Sequence, residues 1–82
     1  MNASPKDPAT STIQVIDRLV LLLDAIAAND TPTSLKILSA ETGLHPSTAH
    51  RILAALGSHD LVGRTEAGHY QLGVKLLSLA SR

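Results

Sequence analysis

The segment that decides the fold is residues 34–58, which read SLKILSAETGLHPSTAHRILAALGS. Ser34 is a residue type that caps helix N-termini, and Gly43 can adopt the left-handed conformation that commonly ends a helix. Only two residues separate this glycine from Pro46, whose fixed φ angle and missing N–H suit the first position of a helix. The segment therefore predicts two short helices joined by a tight turn, the first ending before Gly43 and the second beginning at Pro46.

The second of these helices, predicted over residues 46–58, has one apolar and one polar side. Apolar residues recur along it at spacings of three and four, which places them on a single face. This inner face carries Ala49, Ile52, Leu53 and Leu56. The opposite face carries Ser47, Thr48, Arg51, Ala54 and Ser58. We expect the inner face, together with Leu44, to pack on the preceding helix over residues 35–42, and the outer face to stay exposed.

An amphipathic helix of about four turns is predicted upstream, beginning near Ile13 and ending at Asn29. Its buried stripe is predicted from the apolar spacing to be Ile16, Leu19, Val20, Leu23, Ile26 and Ala27. Residues 30–33 predict a turn, because the chain before a proline is disfavoured in helical conformation and Pro32 lies within them. Residues 1–12 are rich in proline, serine and threonine, so we expect them to form a flexible leader.

Two β-prone segments follow, residues 61–65 and 69–72, separated by the glycine-containing connection at 66–68. This arrangement predicts a hairpin. The predicted fold is therefore mainly α with a small β-hairpin. It is a winged helix-turn-helix, a three-helix core plus a wing, over residues 13–73, followed by the start of a further helix over 74–82.

Composition excludes several classes of protein. The chain has 82 residues, which limits it to one small domain. It has no cysteine, so no disulfide framework or thiolate metal site can stabilise it. The longest apolar run, Leu19–Leu23, is too short to cross a membrane, and residues 1–12 lack the pattern of a signal peptide. We therefore expect a cytoplasmic protein with no membrane partner.

Catalysis and cofactor binding are not predicted. The sequence has no recognisable set of nucleophile, base and orienting residue, and no glycine-rich phosphate loop. The four histidines are a weak metal signal, because His45 and His50 are five residues apart and no carboxylate or thiol completes a ligand set. We expect no cofactor, no metal and no enzymatic activity.

The outer face of the helix after the tight turn suits the major groove of duplex DNA. That groove admits one α-helix, which needs short polar and basic side chains in its first turns. Ser47 and Thr48 lie in the first turn, where hydroxyls and free N–H groups can reach phosphates or base edges, and Arg51 lies one turn along. Arg51 can bind either a guanine or a phosphate. The start of the preceding helix, at Thr33 and Ser34, is either only a turn and a cap or a second phosphate contact.

An ordered set of short motifs resembles the DNA-binding segment of IclR (isocitrate lyase regulator) transcription regulators, and the resemblance covers most of the chain. The motifs are residues 13–18 (IQVIDR), 42–44 (TGL), 47–53 (STAHRIL), 61–62 (LV) and 70–73 (YQLG). The sequence departs from the family at Val15, Asp60 and His69, where the family often has serine, glycine and arginine.

The resemblance implies a recognition helix and a wing that contacts the DNA backbone beside it. The residues that it implies as DNA contacts are Ser47, Thr48, His50, Arg51 and Arg64, with His69 as a further wing position. Arg64 can alternatively pair with Glu66, an exposed arrangement worth at most about 1 kcal/mol.

The resemblance also implies a larger protein. Residues 74–82 would start a linker helix to an effector-binding domain absent from this chain, and a small-molecule effector would act through that domain. The full-length protein would be a homodimer or higher oligomer that binds a palindromic operator in double-stranded DNA.

A protein-interaction module is the rival interpretation. Seven basic residues balance seven acidic ones, whereas DNA-binding domains usually have a basic excess. Winged helices also serve as assembly surfaces, and Leu21 and Ile37 are predicted to be exposed. A titration with mixed-sequence duplex DNA at low and moderate salt separates the two interpretations.

Overall fold

The computed structural model describes residues 8–82, which form four helices and one hairpin. The elements are α1 (Pro8–Ala28), α2 (Leu35–Thr42), α3 (Pro46–Ser58), β1 (Val62–Arg64), β2 (Tyr70–Leu72) and α4 (Val74–Ala80). β1 and β2 are antiparallel. The first three helices pack against one another in pairs, while β1 lies on α3 and β2 on α1. The predicted three-helix core with a wing is confirmed.

The tight turn between α2 and α3 is held by local hydrogen bonds. Ser34 caps α2, because its Oγ accepts a hydrogen bond from the Ile37 N–H at 3.2 Å. Gly43 has a φ of +75°, and its N–H donates to the Ser39 carbonyl at 3.0 Å. Pro46 is the first residue of α3. Both helices therefore have the bounds predicted from the sequence.

One cluster of buried side chains joins the three helices to the hairpin. Its members are Leu22, Ile26, Leu38, Ala49, Leu53, Leu56, Val62 and Tyr70. Among the residues predicted to link α2 and α3, Leu53 and Leu56 are buried, whereas Leu44 and Ile52 are half-buried at the edge of this core.

The prediction for the buried face of α1 is partly wrong. Leu22, which the predicted stripe omits, is fully buried, whereas Ile16 is 52% exposed and Val20 and Ala27 are also exposed. Periodicity cannot choose a face where the helix is apolar on all sides, as it is from residue 19 to 23. The positions of α2 and α3 make that choice, and the first turns of α1 extend past them.

The ends of several elements also differ from the prediction. α1 begins at Pro8, inside the segment expected to be a flexible leader, because a proline suits the first turn of a helix. Residues 1–7 lie outside the described residues. Each strand has three residues, and α4 ends at Ala80 instead of continuing to Arg82. Within residues 8–82 no helix is both long and apolar enough to cross a membrane.

A tight junction connects α3, the hairpin and α4. Asp60 has a φ of +60°, the left-handed region that favours glycine. Its carbonyl accepts a hydrogen bond from the Lys75 N–H at 3.0 Å, and the Leu61 carbonyl accepts one from the Gly73 N–H at 2.9 Å. These bonds hold the start of α4 against the end of α3.

Replacing Gly73 with alanine should open this junction. A Cβ at this buried position would clash with the carbonyl oxygen of Asp60 and would lie only 2.8 Å from the carbonyl carbon of Leu61. Because both neighbours are backbone atoms, relief requires a backbone shift, which typically costs about 1–3 kcal/mol. Chemical denaturation should show this loss of stability, and hydrogen exchange should show faster exchange at the backbone amides of positions 73 and 75.

Gly57→Ala is the matched control for this substitution. Its Cβ would have only the Val62 carbonyl oxygen nearby, at 3.8 Å, so alanine fits and should stabilise α3 by about 0.5–1 kcal/mol. If Gly73→Ala were as stable as the parent, the junction would not be as tight as described.

Candidate nucleic-acid interface

The exposed face of α3 carries most of the predicted contact residues. Ser47, His50 and Arg51 are exposed, and Thr48 is half-buried on the side of α3 that faces α1. They lie within the first two turns of α3. The structure therefore brings these four predicted residues together on one helix surface.

His45 organises the first turn of α3, a role that the sequence analysis did not assign to it. Its Nδ1 lies 3.4 Å from the Ser47 N, from which it accepts a hydrogen bond as an N-cap, and 2.9 Å from the Ser47 Oγ. The imidazole thus fixes the position of the Ser47 hydroxyl. Histidine is not among the preferred capping residues, so composition offered little signal for this role.

Two clefts flank α3. On one side a cleft of about 320 Å³ lies between α1 and α3, and its polar lining residues are Arg18, Thr48 and Arg51. On the other side a smaller cleft of about 110 Å³ lies between α3 and the hairpin, and its lining includes His50, Arg64 and Tyr70. The exposed face of α3 is therefore flanked by α1 on one side and by the wing on the other.

The wing holds Arg64 in a defined position. Its Nε donates to the Gly68 carbonyl at 3.1 Å, and its guanidinium carbon lies 4.8 Å from the centre of the Tyr70 ring. A cation above an aromatic ring is stabilised by the ring's electrostatics. The sequence left open a pairing of Arg64 with Glu66, but the structure places this arginine on Gly68 and Tyr70 instead.

The tip of the wing is held by a second set of hydrogen bonds. The Thr65 Oγ1 accepts from the His69 N–H at 3.1 Å, and the Thr65 carbonyl accepts from the Gly68 N–H at 2.9 Å. The side chain of His69 is exposed beside this turn. His69 and Arg64 therefore lie on the same hairpin, one near its tip and one at the end of β1.

Thr33 does not suit the role of a phosphate contact, and that prediction is corrected. Its side chain is 4% exposed, and its Oγ1 donates to the Thr31 carbonyl at 3.2 Å. Its N–H and carbonyl are both bonded to Tyr70, at 2.9 and 2.8 Å. Thr33 thus forms a single antiparallel bridge with Tyr70 of β2, at the edge of the hairpin. Ser34 is half-buried, and its hydroxyl oxygen is used in capping α2.

The clefts beside α3 lack acidic side chains, although the net charge of the chain is zero. Between Thr42 and His59 the chain has no acidic residue, and no carboxylate lines either cleft beside α3. In the part of the chain that the structure describes, no cluster of three histidine or acidic residues has the geometry to hold a metal ion. The surface around α3 is therefore suited to an anionic partner.

Comparison with models of protein families shows to which family this chain belongs. The model of the IclR helix-turn-helix domain matches residues 15–66, more than half of the chain. The chain belongs to the IclR family. The matched residues run from α1 through the tight turn and α3 into the first strand of the wing, so the family match covers the cleft between α1 and α3 and, apart from Tyr70, the lining of the cleft between α3 and the hairpin.

Individual IclR-family proteins are similar in sequence and in structure. The transcriptional repressor IclR of Escherichia coli K12 is 32% identical over 75 residues, which are 90% of this chain and 27% of that protein. The crystal structure of the Agobacterium tumefaciens repressor BlcR has a TM-score of 0.79 at 26% identity, covering 89% of this chain and 29% of that one. Pseudomonas aeruginosa HmgR has a TM-score of 0.76 at 28% identity, covering 83% and 28%.

These comparisons establish the class of this domain. It is an IclR-type helix-turn-helix domain of a family of DNA-binding transcription regulators, and the family is not enzymatic. The chain spans a little over a quarter of the length of the relatives it matches.

Proposed function

We propose that this chain is the DNA-reading domain of a bacterial transcriptional regulator. α3 enters the major groove, and the wing lies on the adjacent backbone. The observation that carries this proposal is the acid-free surface of α3, on which Ser47, His50 and Arg51 lie together and which continues to Arg64 on the wing. A helix face of this size and polarity matches what the groove accepts.

A net charge of zero does not argue against DNA binding, because no acidic side chain lines the two clefts beside α3. Binding to DNA depends on the cations that meet phosphates, and acidic side chains on distant surfaces oppose it only through long-range repulsion, which salt screens within about 8–10 Å. Asp24 on α1 and Glu41 on α2 line a different pocket from the two clefts beside α3, whereas Glu66 lies on the wing itself, two residues from Arg64. A local basic surface is thus sufficient for the proposed contact.

The proposal extends to the whole regulator. α4 would begin a linker helix to a further domain that binds a small-molecule effector, and two or more copies would bind a palindromic operator in the cytoplasm. The exposure of apolar side chains on α4 supports this, since Val74 and Leu77 are each 72% exposed and apolar surface of this kind often marks a contact with another part of a protein.

A selection of bound duplexes from random DNA tests the proposal most directly. The expected result is a set of related sequences, each bound less tightly as salt is raised. If the chain bound no duplex at low salt, the DNA-binding proposal would be wrong and the protein-interaction interpretation would replace it. Leu21 and Ile37, both 47% exposed, would then be the first residues to examine as partner contacts.

Replacing Arg51 with alanine should reduce sequence discrimination. If Arg51 contacts a base edge, its loss weakens binding to the selected duplex by about 1–3 kcal/mol while binding to mixed-sequence DNA changes less. Arg64→Ala should instead weaken binding to all duplexes similarly and reduce the salt dependence, as expected for a backbone contact. Fluorescence anisotropy titrations with both duplexes at several salt concentrations measure these effects.

Lys75→Ala is the matched control for both substitutions. Lys75 lies at the start of α4, and its N–H donates to the Asp60 carbonyl, beyond the C-terminal end of α3. The substitution removes one positive charge outside the proposed surface, so it should leave binding nearly unchanged. If Arg51→Ala and Arg64→Ala both bound the selected duplex as the parent does, the proposed surface would be wrong.

A further inference from the structure

Arg18 on α1 lies outside the surface proposed so far, although it faces the same side of α3. It lines the cleft between α1 and α3 together with Thr48 and Arg51, and it is exposed. Two arginines thus converge on one cleft, while the rest of its lining is apolar and includes Leu19 and Ile52. Like charges brought together without a carboxylate favour the binding of an anion.

The helices themselves supply no acidic partner for either arginine. On a helix, ion pairs form at spacings of three and four residues. At these spacings from Arg18 stand Gln14, Val15, Leu21 and Leu22. At the same spacings from Arg51 stand Ser47, Thr48, Ala54 and Ala55. Neither arginine therefore has an acidic partner at these spacings, and no carboxylate lines the cleft that they share.

The position of the cleft indicates which anion it meets. A helix that lies in the major groove has one phosphodiester strand on each side, because the groove is only about 12 Å wide. The wing with Arg64 lies on one side of α3, and the cleft with Arg18 lies on the other. A DNA backbone on the second side would therefore pass the mouth of this cleft.

We propose that the cleft between α1 and α3 binds a backbone phosphodiester of duplex DNA, with Arg18 as its principal ligand. The Thr48 hydroxyl can donate a further hydrogen bond, and Arg51 adds positive potential at the rim while its own guanidinium extends toward the groove. A hydrogen bond between a guanidinium and a phosphate is charge-assisted and therefore stronger than one between neutral groups. This inference rests on the proposed function and assigns a DNA contact to α1.

The test compares Arg18→Ala with the parent chain, using the selected duplex and a mixed-sequence duplex over a range of salt concentrations. A lost phosphate contact should lower the affinity for both duplexes by the same factor, about tenfold. It should also reduce the slope of log affinity against log salt by about 1. Arg18→Lys keeps the charge and should recover much of the affinity and the slope.

Two controls keep the outcomes distinct. Lys75→Ala removes the same charge at a different place and should change the affinity and the salt slope much less than Arg18→Ala does. Thermal denaturation of Arg18→Ala should match that of the parent, since the side chain is exposed. If the parent binds DNA and Arg18→Ala binds both duplexes with unchanged affinity and slope, the phosphate site is refuted while the proposed function stands. If the parent itself binds no duplex, the proposed function fails.

Discussion

Leu53→Ala should lower the free energy of unfolding by about 2–5 kcal/mol. Leu53 is 1% exposed and belongs to the cluster that joins α3 to the other helices and to the hairpin. Truncation removes its methyl groups from an apolar environment and leaves a cavity, and both effects destabilise the fold. For a domain of this size the midpoint of thermal unfolding should fall by at least about 10 °C, measured by circular dichroism.

Leu77→Ala is the control with the same change of side chain at an exposed site. Leu77 on α4 is 72% exposed, so its truncation should change stability by less than about 0.5 kcal/mol. Equal stability of Leu53→Ala and the parent would remove α3 from the core and would contradict the packing described above.

Fusing the chain to an unrelated dimerisation domain should raise its affinity for a palindromic duplex by roughly 10²–10⁴. A single copy offers few phosphate contacts, because residues 13–80 contain only five lysines and arginines, of which three, Arg18, Arg51 and Arg64, belong to the proposed surface. Linking two copies makes the second half-site an intramolecular partner, which raises affinity without any new type of contact. Titrations of fused and unfused chains with half-sites about one helical turn apart measure the gain.

The spacing of the half-sites provides the control for this experiment. The fusion should bind a single half-site no better than the unfused chain does, and moving one half-site by about half a helical turn should abolish most of the gain. Tight binding by the unfused monomer that does not respond to salt would contradict the account, since it would require contacts other than those to phosphates.

The sequence determined the order of elements and the local structure of the tight turn. Capping at Ser34, the left-handed Gly43 and the start of α3 at Pro46 each depend on a residue and its immediate neighbours. Such local preferences act whatever the rest of the chain does. The polar face of α3 could be predicted for the same reason, because helical spacing alone separates Ser47 and Arg51 from Leu53.

The tertiary structure decided which faces are buried and which side chains are free to bind. Leu22 rather than Val20 lies in the core because α2 and α3 pack on one side of an evenly apolar segment. Thr33 is withdrawn from the surface because it pairs with Tyr70, a residue 37 positions further along the chain by the sequence numbering. Arg18 and Arg51 line the same cleft only because α1 packs against α3. Contacts between residues distant in sequence depend on packing of the whole domain, and no local pattern encodes them.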